Sequence, residues 1–142
     1  MPNVKLIAAS FAATALLAIP SVGAESFVLD TQELTEGEAK LAKMLDGRVA
    51  GEAQSCIRVT PNYDLTVIDG TALVYKSGRT LYVNVPRNAR SLDDRDTLVR
   101  RTSFGSRICS SDIITTVDQN VGHYTGNINL GEFIPYRKAE TS

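Results

Sequence analysis

The chain has 142 residues, and its 15 Lys+Arg against 16 Asp+Glu leave a formal net charge of −1. That balance argues against a general binder of nucleic acid or membrane surfaces, which depends on excess positive charge. With 43% hydrophobic residues the chain can bury a core, whereas its one histidine and two cysteines are too few for most zinc sites, which take three or four such ligands.

The first two dozen residues, MPNVKLIAASFAATALLAIPSVGA, place Lys5 before an apolar run from Leu6 to Ile19, which Pro20 breaks. Val22-Gly23-Ala24 then offers small residues at a cut. This is the three-part pattern of a secretory signal peptide, and cleavage is expected after Ala24. The run is shorter than the roughly 20 apolar residues of a spanning helix, and nothing later is long and apolar enough to cross a bilayer. The expected mature product is periplasmic or secreted, with no transmembrane segment.

Residues 25–34 (ESFVLDTQEL) are expected to form an N-terminal arm. A helix is expected over 35–46. Thr35 with Glu38 fits a capping box, in which each side chain satisfies an orphan amide of the first turn. Leu41, Met44 and Leu45 make a narrow apolar stripe, and Gly47 can take the left-handed conformation that ends the helix. A helix this short is marginal alone and must dock on something. GRVAGEA (47–53) reads as a connector.

From Cys56 onward the pattern is β. Cys56-Ile-Arg-Val59 is a short strand before Pro61. The segments 65–68 and 71–75 flank Asp69-Gly70, a two-residue hairpin signal. Ser77-Gly78-Arg79 is a second turn. In 80–85, Leu81, Val83 and Val85 alternate with Thr80, Tyr82 and Asn84, which predicts one buried and one wet face. Pro86 to Thr97 is polar and charged, a loop or a single helical turn. Further strands are expected at 98–102, 107–109, 113–117, 127–130 and 133–136, with a turn at 119–122. Six to eight strands and one helix predict a mainly β fold at the margin of α+β. The architecture expected is a small antiparallel barrel or sandwich with the N-terminal helix docked on it. The single compact domain spans 35–137, followed by a disordered tail at 138–142.

Chemistry-bearing residues are sparse. In an exported chain an even cysteine count makes a Cys56–Cys109 disulfide the default. The alternative is a reactive thiol: in extended segments Arg58 shares a face with Cys56, and Arg107 with Cys109, and guanidinium groups beside a thiol raise its reactivity. There is no Cys-x-x-Cys. A hydrolase or thiol enzyme could use Cys109 with His123 and Asp112, but His123 lies in a glycine-flanked segment that reads as a turn, and no catalytic residue is assigned. Asp93, Asp94 and Asp96 lack calcium-loop spacing, so no metal or other cofactor is expected. Between Lys76 and Arg107 there are eight basic residues (Lys76, Arg79, Arg87, Arg90, Arg95, Arg100, Arg101, Arg107) against those three acids. Arg58, Arg79, Arg87, Arg107 and Tyr82 are the candidate ligand-binding residues, in a pattern of basic and aromatic side chains that suits anionic polymers.

The strand beginning Cys56-Ile57, DGTALVY (69–75), LYVNVPR (81–87), ICSSDII (108–114) and LGEFIPYRK (130–138) together resemble small exported bacterial proteins with no assigned activity. The resemblance spans Gly47 to Lys138 and implies export and a compact β domain, with no catalytic residue. Related domains often carry another cysteine near the 86–96 loop that this chain lacks, so their disulfide connectivity is not carried over. The expected function is a non-catalytic binding module of the bacterial envelope, with no specific nucleic-acid binding. Its partner would be an anionic envelope component or another protein. A small thiol-dependent or hydrolytic enzyme and an inhibitor of a secreted enzyme are the alternatives.

Overall fold

The computed structural model describes residues 33–101 and 105–140. The expected signal peptide (1–24) and most of the expected arm (25–34) lie outside the described residues. Helix α1 runs from Glu36 to Leu45. The capping box is formed: the Thr35 amide donates to Glu38 Oε2 at 2.8 Å, and the Glu38 amide donates to Thr35 Oγ1 at 3.2 Å. Ten strands follow: β1 (Arg48–Ala50), β2 (Cys56–Arg58), β3 (Asp64–Ile68), β4 (Ala72–Ser77), β5 (Thr80–Asn84), β6 (Asp96–Arg100), β7 (Arg107–Cys109), β8 (Ile113–Asp118), β9 (Tyr124–Asn129) and β10 (Phe133–Lys138).

The strands form three antiparallel sheets. The largest has the order β1-β10-β5-β4-β3; β2 pairs with β7, and β6, β8 and β9 form the third sheet in the order β6-β8-β9. The fold is therefore mainly β. The sheets do not close into a barrel, and the arrangement is a sandwich. The expected meander is β3-β4-β5. Its turns are set by Gly70 and Gly78, at φ 58° and 59°, a backbone region that a Cβ disfavours.

Two apolar clusters explain the layering. On one face of the five-stranded sheet, Ala72, Val74, Leu81 and Val83 are buried beneath Leu41, Met44 and Leu45 of the helix. On the other face, Leu73, Tyr75 and Phe133 pack with Ile57, Ile108, Ile114 and Ile128 of the two smaller sheets. The consecutive residues Ala72 to Tyr75 are all buried because β4 is covered on both sides.

This double cover corrects the expectation for 80–85. Leu81 and Val83 are buried, but so is Asn84, at 0% exposure, whereas Val85 is 54% exposed. The face read as wet is roofed by the second layer, and Val85 lies past the end of β5. Buried Asn84 is accommodated by a two-point contact: Nδ2 donates to the Gly131 carbonyl at 2.7 Å, and Oδ1 accepts from the Gly131 amide at 3.0 Å. Only glycine fits at 131, because a Cβ there would overlap the Val85 carbonyl oxygen.

Two further segments differ from expectation. The connector at 47–53 contains β1, whose Arg48, Val49 and Ala50 pair with Lys138, Arg137 and Tyr136. Three residues without alternation leave no periodic signal. Pairing with β1 likewise carries the final strand through Lys138, past its expected end at 136. The segment containing His123 is also less of a turn than expected: β9 begins at Tyr124, and His123 is the exposed residue before it.

Candidate functional site: basic surfaces and a half-exposed disulfide

Cys56 and Cys109 are disulfide-bonded and directly opposite in the β2–β7 ribbon. Closing a loop of 53 residues stabilises the fold by about 4 kcal/mol in the chain-entropy picture. The turn after Cys109 is a local side-chain cap. Asp112 Oδ2 accepts from the Cys109 amide at 2.9 Å, and the Asp112 amide donates to the Cys109 carbonyl at 2.9 Å.

The bridge leaves no thiol for the nucleophile reading. His123 is not brought to it either. Asp112 immediately precedes β8, while His123 follows the turn at the opposite end of that strand, a separation of about 17–20 Å for six extended residues. The Cys109–His123–Asp112 constellation is not assembled.

The candidate ligand residues fall in different places. Tyr82 is half-buried against the core cluster, so its ring is not a free stacking platform. Arg87 is exposed beyond β5, its amide donating to the Asn129 carbonyl at 2.9 Å. Arg58 and Arg107 are exposed partners on the β2–β7 ribbon.

Arg79 joins a larger basic surface. An open groove of about 870 Å³ is lined by Arg48, Lys76, Arg79, Arg137 and Lys138, with Glu140 as its one acid. Sheet topology builds it. Lys76 lies near the end of β4 and Arg79 in the β4–β5 turn, while β10 delivers Arg137 and Lys138 beside β5, and β1 sets Arg48 opposite Lys138. Arg48 is positioned by donating from its guanidinium to the Arg79 carbonyl at 3.0 Å, with a longer contact to the Tyr136 carbonyl at 3.4 Å. Arg137 Nε makes a similarly long contact to Thr80 Oγ1, at 3.4 Å.

Like charges directly across an antiparallel pair repel. Among the described residues the only salt bridge is Arg95–Asp93, so none of these five cations is held in a close ion pair. Lys76 and Arg79 belong to the basic segment visible in the sequence. Arg48, Arg137 and Lys138 were missed because they come from opposite ends of the domain, and only β1–β10 pairing unites them.

A second cleft, of about 660 Å³, is lined by four carboxylates, Asp69, Asp93, Asp96 and Asp118, and two arginines, Arg90 and Arg95, among others. The Gly70 amide donates to the Leu92 carbonyl at 3.0 Å, which draws the 93–94 segment onto the β3–β4 turn. The carboxylates of Asp69, Asp93 and Asp94 consequently approach within 4.8 Å of one another. Arg95 grips Asp93 with two side-chain bonds, at 3.0 and 2.8 Å. Those bonds hold the Asp93 carboxyl below its ordinary range.

Among the described residues, Tyr75 alone has a buried side-chain polar atom, its hydroxyl, with no hydrogen-bond partner. Burial, reinforced by nearby Tyr63, pushes its ionisation above the usual tyrosine value, so it is not an acid–base group at neutral pH.

No family model matches the chain, and no curated protein or solved structure is found to be similar to it. No helix among the described residues is long and apolar enough to cross a membrane.

Proposed function

We propose that this protein is an exported, non-catalytic binding module whose ligand is an anionic polymer of the cell envelope, and that the groove of Arg48, Lys76, Arg79, Arg137 and Lys138 is its contact surface. The observation that carries the proposal is the convergence of five cations from three strands and a turn, opposed by one acid in the groove. A chain with a net charge of −1 that gathers its cations in this way builds a local attractive field without becoming a general polycation binder. The groove is open along the sheet end and offers several separate charges, which suits a chain of repeated phosphate or sulfate groups better than one small anion. Export rests on the signal-peptide pattern and the resemblance to small exported bacterial proteins, and a disulfide accords with an oxidising compartment.

Titration with dextran sulfate, with neutral dextran as the control, tests this reading. The sulfated polymer should bind, and affinity should fall roughly a hundredfold or more between about 50 and about 200 mM salt if most of the cations engage. The exposed-residue variants Arg79→Gln and Arg137→Gln should each lower the salt slope by about one. Salt-insensitive binding, equal binding of neutral dextran, or unchanged affinity in both variants would refute the reading.

A further inference from the structure

The β2–β7 ribbon has two chemically different faces. Ile57 and Ile108, at 3% and 1% exposure, point into the core. Cys56, Cys109, Arg58 and Arg107 alternate with them and occupy the outer face, where both cysteines are half-buried and both arginines exposed. The ladder bonds fall on either side of these positions: the Ser110 amide donates to the Ser55 carbonyl at 2.7 Å, and the Val59 amide to the Ser106 carbonyl at 3.0 Å. Cys56–Cys109 and Arg58–Arg107 are therefore the non-hydrogen-bonded pairs, in which facing side chains come closest. The cysteine Cα atoms are 4.0 Å apart.

Two arginines thus sit opposite each other, one same-face step (about 7 Å along the strand) from the cysteine pair. A third is held nearby: Arg100 donates to the Arg107 carbonyl at 2.6 Å and to the Gly105 carbonyl at 3.3 Å. Against these stands one carboxylate tied to the ribbon, that of Asp112 on the Cys109 amide. Neither Arg58 nor Arg107 has an ion-pair partner among the described residues. Facing like charges on a three-residue strand pair work against its stability, and they stand on the same face of the ribbon as the disulfide.

We propose that the Cys56–Cys109 bridge is a thiol-exchange site that selects anionic thiols, with Arg58 and Arg107 as its recognition elements. The reductant class is a low-molecular-weight thiol bearing a carboxylate or sulfonate. Its thiolate attacks one Sγ, the sulfur–sulfur bond breaks, and the electron pair leaves on the other cysteine, which takes a proton from water. A second thiolate then attacks the reagent sulfur of the mixed disulfide, releasing the second cysteine and a symmetrical reagent disulfide. Two thiols are oxidised as one protein disulfide is reduced. The arginines act twice, raising the local concentration of the anionic reagent and stabilising the departing thiolate. Ile57 and Ile108 remain seated in the core throughout, so exchange does not require the domain to unfold. This site shares no residue with the basic groove and is independent of that function.

The test is the rate of native-state reduction by 2-mercaptoethanesulfonate and by cysteamine, one anionic and one cationic. Each rate is normalised to the same thiol's rate on a neutral small-molecule disulfide. The normalised ratio should favour the anionic thiol by about fivefold or more at low salt, as two unit charges within roughly 10 Å of the reacting sulfur give in water. It should approach one at about 1 M salt, where the Debye length is about 3 Å, and also in Arg58→Gln/Arg107→Gln, which leaves Arg100 balanced by Asp112. A ratio near one in the wild type at low salt would overturn the proposal. So would a ratio unchanged by salt or by the double variant, or reduction that proceeds only at the rate of global unfolding.

Discussion

Asn84 and Asn88 make the same pair of hydrogen bonds in different surroundings, which turns burial into a measurable quantity. Asn84, fully buried, bonds the carbonyl and amide of Gly131 at 2.7 and 3.0 Å. Asn88 bonds the Asn127 carbonyl and the Asn129 amide at 2.8 and 2.9 Å, but it is only half-buried. Replacing Asn84 by alanine removes both bonds and strands two backbone groups where water has little access. Net hydrogen bonds are worth about 0.5–1.5 kcal/mol each, and an unsatisfied buried group costs about 1–3 kcal/mol. Because Gly131 is itself half-buried, we expect Asn84→Ala to lose about 2–4 kcal/mol. That is a large fraction of a small domain's roughly 5–15 kcal/mol. Asn88→Ala frees groups that water can satisfy, so its loss should be about 0.5–1 kcal/mol. Urea unfolding of both variants, with an unchanged dependence on denaturant, gives the comparison. Equal losses for the two, or a loss below about 1 kcal/mol for Asn84→Ala, would refute the assignment of the Asn84–Gly131 contact as a buried clamp.

The unpartnered Tyr75 hydroxyl predicts that Tyr75→Phe leaves urea stability unchanged or raises it by about 1 kcal/mol; a clear loss would mean that the hydroxyl has a partner. For Asp93, a carboxyl titration followed by NMR should have its midpoint below the ordinary carboxylate range, and Arg95→Gln should move it back up. Since the folded value is the depressed one, the Asp93–Arg95 interaction contributes above the unfolded carboxylate value and is lost as pH falls through the folded value. Any stability difference between wild type and Arg95→Gln at neutral pH should therefore vanish in acid.

Local signals in the chain were enough for the helix, the meander and the disulfide. The capping box of Thr35 and Glu38, the turn glycines 70 and 78, and an even cysteine count each act over a few residues or through a single covalent partner, so they read correctly without knowledge of the fold. The alternation in 80–85 was read correctly as a strand but assigned the wrong surroundings. Period two says that β5 has two faces; it cannot say that β2–β7 and β6-β8-β9 cover the second one, which is why buried Asn84 was taken for a wet residue. The candidate binding residues show the same divide. Arg79 was visible within a run of basic residues, but Arg48, Arg137 and Lys138 became its neighbours only through the pairing of β1 with β10 and of β10 with β5. Tyr82 was withdrawn from the surface by the same layering. The sequence by itself determined the helix, the β3-β4-β5 meander with its turns, and which sulfurs join, but not β1 or the start of β9. The tertiary structure alone decided which charges meet, because hydrogen-bonded register between strands distant in the chain, and not local propensity, places Arg48 and Lys138 across from each other.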